Sequence, residues 1–433
     1  MEEAEAPGEL VFDLDVDGHR EPDSDDDEPQ PAPQQRKSRA APVTAAEWSI
    51  KKPVSDVRQQ FTQGSKEQRL KGTARDAVLS GDELAIWDLF MPAQAVDAMV
   101  TSTNVYVEQV KASTERPPWV AEGAAWPPKW TGRWQPVTRQ EMYVFIGMCY
   151  FQGIYSLPDI DSWWRDEFPC PGVFRELMSR DRYRYIKSAL HFADERVKPA
   201  NAGPLYKVDS LLLPFLNRCR SIYQLSEHVS ADECVIKMES KMAPRSTMYG
   251  QLPKPIGQGM VIDVLCEAGD DKGAKIGYLS DGIVRVKGEP QRGRWMLLAG
   301  RQVGNWRTWF LDRLSTNEKL AVALLSDHNT YIVGTTRNQK AGKQHGGVEK
   351  EKLKERGNWT WSARSLSKET GCSTDSLVVC MWFDVKENCL FMSTGRKPVD
   401  GQVVRRVAGA ENKTFSAPSV SASNPFPAPP PPS

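Results

Sequence analysis

The chain has 433 residues, 40% hydrophobic and 26% charged, which is enough to bury a core and too many for one ordinary domain. No run reaches the ~20 apolar residues of a membrane span, and the N-terminus is acidic rather than basic and apolar, so neither a membrane nor a secreted protein is expected. Eight scattered cysteines without a C-x-x-C pair argue against the common zinc patterns and a small disulfide scaffold. The net charge of zero conceals a division. Residues 1–30 hold thirteen acids and one base, leaving 55 bases against 43 acids, or +12, on the rest. That balance suits a polyanionic partner.

In chain order, residues 1–75 offer no apolar period and are expected to be disordered. They run from the acidic segment through PQPAPQQ to Arg36-Lys37-Ser38-Arg39, a short basic cluster of the nuclear-localisation kind. Residues 84–226 read as a helical domain. Met91 to Val110 has apolar residues at helical intervals, and Thr138-Arg139-Gln140-Glu141 has the capping-box pattern. Met142–Ile154 follows, apolar almost all round, which predicts a central buried helix ended near Pro158. Tyr183, Ile186 and Leu190 mark another helix, opened by Ser179-Arg180-Asp181, and Leu211 to Leu225 one more.

Residues 227–340 change period. Val229–Met238, Gly259–Cys266, Lys275–Val286 and Arg307–Leu311 are β-prone. Ser315-Thr316-Asn317-Glu318 repeats the capping-box pattern before a helix containing Leu320, Ala321, Leu324 and Leu325, and Tyr331-Ile332-Val333 reads as a buried strand. Three strands, then strand, helix, strand, predict a mixed α/β sheet with a parallel portion. Residues 341–410 form a β-rich segment in which Leu377–Phe383 and Cys389–Met392 pair around the Asp384–Asn388 turn. Residues 411–433 are a Ser/Pro-rich tail expected to be disordered.

Two carboxylates stand out. Asp232 lies in the β-prone run Val229–Ile236, where a charge entering a sheet is costly unless paired or metal-bound. Asp312 follows Trp309-Phe310-Leu311 at a strand end, where open α/β sheets gather ligands. On neighbouring strands they would suit divalent-metal phosphodiester chemistry. Solvent-facing aspartates at strand ends are the plainer alternative. His191 and His228 have no ligand-spaced partner and read as packing or surface residues. Trp119, Trp126, Trp130, Trp134, Trp163 and Trp164 could stack on bases, but without interleaved basic residues they read as helix packing. Lys340–Gly347 lacks the order of a phosphate loop and reads as a basic loop.

The motifs, taken together, resemble piggyBac-type transposases and the host proteins derived from them, over roughly Leu84 to Asn424. In order they are Thr103-Asn104-x-Tyr106, Glu141-Met142-x-x-Phe145-Ile146-Gly147, Gly153-Ile154 and Leu157-Pro158, then Trp163-Trp164. Met178-Ser179-Arg180-Asp181-Arg182-Tyr183 leads to Leu190-His191-Phe192-x-Asp194. Asp232-Glu233, Lys254-Pro255 with Gly259, and Asp312-x-x-x-Thr316 with Leu324-Leu325 come next. Gly334-Thr335-x-Arg337, Trp382-x-Asp384-x-Lys386 and Met392-Ser393-Thr394 close the series.

The resemblance implies a ribonuclease H-like mixed-sheet core preceded by a mostly helical domain, with three aspartates binding two Mg²⁺ ions. The first falls on Asp232 and the second on Asp312, so both are its candidate catalytic residues and metal ligands. Around Asp312 the family's Asn and two aromatics are replaced by Arg313, Leu314 and Ser315. The third has no counterpart. Pro418–Asn424 approximates the family's stretch before its Gly-Gly-Val-Asp but runs on into Pro425-Phe426-Pro427, while Gly346-Gly347-Val348-Glu349 stands far too early. The family's Cys-rich zinc module has no counterpart either. The resemblance implies DNA as partner, a nuclear location and ancestral cleavage and joining at transposon ends, and leaves a homodimer open. Three functions are compatible: a transposase-derived protein inactive for want of the third Asp, a DNA- or chromatin-binding adaptor without chemistry, and a degraded fragment.

Overall fold

The computed structural model describes residues 49–50 and 69–420, apart from 118–119, 121–122, 156, 158, 166–172, 239–243, 253–255, 269–276, 303–305, 337–347, 349–351, 385–387, 395–397 and 408–409. The acidic segment, the basic cluster 36–39, Trp119, Glu349 and the tail beyond Val420 therefore lie outside it. Within the stretch 1–75, Ser49–Ile50 form strand β1, Arg69 is buried and helix α1 (Thr73–Ser80) begins. These contacts are long-range, so local composition gave no sign of them.

Helices α2 (Glu83–Phe90), α3 (Ala93–Ala112), α4 (Arg139–Ile154), α5 (Val173–Leu177), α6 (Arg180–Ala189) and α7 (Tyr206–Ile222) follow. The capping box at Thr138 is formed. Its hydroxyl accepts the Glu141 N–H and its own N–H donates to the Glu141 carboxylate, both at 3.2 Å. α4 buries Met142, Phe145 and Met148 against Val96, Met99 and Val107 of α3 and Tyr183 and Ile186 of α6. It is not buried all round, since Tyr150 and Ile154 are exposed: its described neighbours cover only one stripe of the helix. The tryptophans belong mainly to this core. Trp163 stacks on Phe174 at 4.7 Å, and the Trp164 indole donates to the Met178 carbonyl at 2.8 Å.

His191 is part of the same packing. Its ring stacks on Tyr106 with centroids 3.5 Å apart, and its backbone exchanges hydrogen bonds with the Thr103 hydroxyl. Asn104 clasps the backbone of Val137 in both directions, at 2.8 and 3.0 Å. The Thr103–Tyr106 and Leu190–Asp194 motifs thus fasten α3 to the chain after α6.

The sheet contains β1 and nine later strands: β2 (His228–Lys237), β3 (Tyr249–Leu252), β4 (Gly257–Glu267), β5 (Leu279–Val284), β6 (Thr308–Leu311), β7 (Tyr331–Thr336), β8 (Trp359–Ser365), β9 (Ser376–Phe383) and β10 (Asn388–Thr394). Their order is β1-β8-β9-β10-β7-β6-β2-β4-β3, with β5 also on β4. Only β2–β6 and β6–β7 are parallel; the other pairings in this sheet are antiparallel. Helices α8 (Gln291–Arg301) and α9 (Glu318–His328) cover one face, packing Trp295, Leu298, Leu320 and Leu324 on Val229, Ala231, Trp309 and Ile332. Part of the other face, Ile262, Val264 and Val284, packs against Leu205 and Leu212 at α7. A short helix α10 (Ser367–Thr370) joins β8 to β9.

Beyond the sheet, β11 (Pro398–Val407) and β12 (Ala410–Val420) form a separate antiparallel hairpin where the tail was expected to be disordered from residue 411. The Ser315 capping box is not formed either. Asn317 caps α9 by accepting the Leu320 N–H at 2.9 Å, because Ser315 and Thr316 are already committed to a turn on Asp312. Among the described residues no helix is long and apolar enough to cross a membrane.

Candidate functional site

β2 and β6 run parallel with His228 opposite Thr308, Val229 opposite Trp309, Ser230 opposite Phe310 and Ala231 opposite Leu311. The next residues in register are Asp232 and Asp312. Because side chains alternate along a strand, Asp232 falls on the face of Ser230, away from the core under α8 and α9, and Asp312 opens the turn that follows β6. Asp312 thus stands at the carboxyl end of β6, while Asp232 lies midway along β2, which runs on to Lys237 paired with β4.

Asp232 is exposed; its Oδ1 accepts the Glu233 N–H at 2.7 Å. Asp312 is half-buried; its Oδ1 accepts the Ser315 N–H at 2.9 Å, and its carbonyl accepts the Thr316 hydroxyl at 2.7 Å. Among the described residues the second oxygen of each carboxylate has no hydrogen-bond partner. The turn depends on Gly334 of β7, which sits opposite Leu311. A Cβ there would run into the Thr316 hydroxyl and come within 2.6 Å of the Leu311 carbonyl. Gly259 has the same function on β4, where a Cβ would meet the Ile236 carbonyl.

Glu233 lies on the opposite face and anchors the strand. Arg285 bridges it to Asp263, a fully buried carboxylate that also accepts from Arg294 Nε at 2.6 Å. Burial works against the Arg285 charge, but its hydrogen bonds to Asp263 and Glu233 prevail and raise its pKa above the ordinary value. A second buried pair joins Arg69 to Glu267 at the end of β4, at 3.2 Å, with Glu267 also accepting the Ser226 N–H at 2.9 Å. Neither network is legible in the sequence, since a lone Asp or Arg gives no sign of the distant partner that lets it be buried.

Asp232 and Asp312 each keep one open oxygen, and Mg²⁺ is commonly held by one or two carboxylates plus waters and phosphate. Among the described residues no group of three or more His, Cys, Asp or Glu could hold a metal ion. His228 packs near Phe310, with ring centroids 5.6 Å apart. Asp400 is in β11, opposite Pro418.

Residues 82–270 match the family model described as transposase IS4. In fold the chain is similar to piggyBac transposase as seen in a cryo-EM structure of its synaptic complex with hairpin DNA. The TM-score is 0.56 and the identity 16%, over 72% of this chain and 60% of that one. No curated protein matches. The fold is thus the ribonuclease H-like one of piggyBac transposase, and the resemblance carried by the motifs is borne out. The chain spans 60% of the length of that transposase.

Proposed function

We propose that this transposase-derived protein binds duplex DNA, holds one divalent cation between Asp232 and Asp312, and does not by itself cut or join strands. The observation that supports this most is that Asp232 and Asp312 each directly follow the last pair of the parallel β2–β6 ladder, Ala231 opposite Leu311. In-line displacement at a two-metal centre needs ions on both the attacking and the leaving oxygen. Asp232 and Asp312 alone supply the ligands of one ion, and among the described residues no group of three or more His, Cys, Asp or Glu could hold a metal ion. A bound cation would draw a DNA phosphate to the sheet face. The +12 balance of residues 31–433 supports the same partner. The basic cluster Arg36-Lys37-Ser38-Arg39 supports a nuclear location for such a protein.

The test incubates the purified chain with labelled duplex and Mg²⁺, then with Mn²⁺, and reads strand breaks on a denaturing gel. No breaks are expected from the unsubstituted chain or from Asp232→Ala with Asp312→Ala. Metal-dependent breaks that vanish in the double variant would show an active nuclease and refute the inactive reading.

A further inference from the structure

The turn that carries Asp312 also presents two side chains with no role in the carboxylate pair. Asp312 Oδ1 accepts the Ser315 N–H at 2.9 Å, and the Asp312 carbonyl accepts the Thr316 hydroxyl at 2.7 Å and the Thr316 N–H at 3.1 Å. Ser315 and Thr316 are buried by this arrangement, while Arg313 and Leu314 stand at the tip, Arg313 exposed and Leu314 49% exposed. Among the described residues Arg313 has no ion-pair partner.

A second element reaches the same turn. The Gln291 amide, at the start of α8, donates to the Ser315 hydroxyl at 3.1 Å, which sets the next residue, Arg292, beside the turn. Arg292 is exposed, has no ion-pair partner among the described residues, and shares its helical turn with no acid. Of the acids nearby, Glu318 is bridged by Arg364, and Glu289 is an exposed charge just ahead of α8 that partly offsets the two cations. Half of the Leu314 side chain stays in water, so much of the ~1.5–3 kcal/mol of full burial is not realised.

Two unpaired guanidinium groups around an exposed Leu suit a partner with spaced anions on a less polar framework. A guanidinium matches phosphate with a fork of donors, and along one strand of B-DNA the charges repeat every ~3.4 Å of axis. A phosphate drawn to Asp312 through a cation therefore brings its neighbours toward Arg313 and Arg292. We infer that Arg313 and Arg292 form a phosphate clamp beside Asp312, with Leu314 lying against a deoxyribose of the gripped strand. This rests on the DNA-binding reading and names the contacts made at that site.

The experiment follows binding of a short fluorescent duplex by anisotropy across a salt series. It compares the full chain with Arg292→Ala/Arg313→Ala, with the charge-keeping Arg292→Lys/Arg313→Lys, and with Leu314→Ala. A control, Lys71→Ala/Arg75→Ala, removes the same charge from exposed positions near α1. Each lost phosphate contact lowers the slope of log K against log salt by ~0.9. The alanine pair is expected to bind tenfold or more weakly at low salt, with a slope smaller by about 2. The lysine pair and the control should keep the slope, and Leu314→Ala should weaken binding severalfold at an unchanged slope. All the substituted side chains are exposed, and circular dichroism should show every variant folded. An unchanged slope for the alanine pair, or an equal drop in the control, would overturn the clamp while leaving DNA binding intact. Unchanged affinity in Leu314→Ala would overturn the deoxyribose contact. No binding by the full chain at low salt would overturn the DNA-binding reading and the clamp together.

Discussion

Asp232 and Asp312 are related by a strand register rather than by a pocket. Each pair along β2 and β6 carries the same offset, so the two aspartates are one step beyond Ala231 and Leu311. What holds Asp312 in place is the turn that returns Thr316 to its carbonyl, and what admits that turn is the missing side chain of Gly334. Gly334→Ala should therefore do more than crowd a strand. Overpacking of this kind costs ~1–3 kcal/mol, and relief of the clash has to move Thr316 or Leu311. A lower denaturant midpoint with weaker Mn²⁺ binding is expected. An unchanged midpoint would mean that the turn does not lean on Gly334.

At the scale of elements, the helical part is held by motif residues whose work is packing. The His191 ring shows this most plainly. Burial lowers its pKa below the ordinary value, with Lys207 adding to the effect and the Ala189 carbonyl and Glu195 opposing it. As pH falls through the unfolded value of about 6.5, the unfolded chain takes a proton that the folded one resists. Stability from this group is thus fully present above that pH and lost toward the lower folded value. His191→Phe keeps a ring against Tyr106 and removes the proton. Between pH 7.5 and 5 the melting temperature of the variant should fall less than that of the unsubstituted chain. Equal falls would assign the acid sensitivity elsewhere.

The same scale shows how far the sequence could be read. The Thr138 capping box, β2, β4, β6 and β7 follow from local periods and short side-chain patterns, and the structure has them within a few residues of where the patterns lie. α8 was hidden: Gly293, Gly300 and three arginines break its apolar stripe, although Trp295 and Leu298 are buried. β8 was hidden in a polar run whose burial depends on β9, and β11 and β12 were hidden by a composition that reads as tail. The sequence shows Asp232 as a carboxylate within a β-prone run and Asp312 as one at a strand end, and β2 and the end of β6 have them there. The network of Asp263, Arg285 and Arg294 was not, because its members become partners only through strand pairing.

For the whole molecule, the charge division in the sequence bears directly on the proposed activity. The thirteen acids of residues 1–30 precede a remainder of +12, and this division predicts that removing them strengthens the proposed binding to DNA. Salt weakens both the effect of these acids, by screening it, and the binding, by reducing its counterion-release gain. The most direct measurement is an anisotropy titration of duplex DNA with the full chain and with a chain lacking residues 1–30, at low and at high salt. Binding by the full chain at low salt is expected, tighter after the deletion, with the gain shrinking as salt rises. If neither chain binds duplex DNA at low salt, the DNA-binding account of this protein is contradicted.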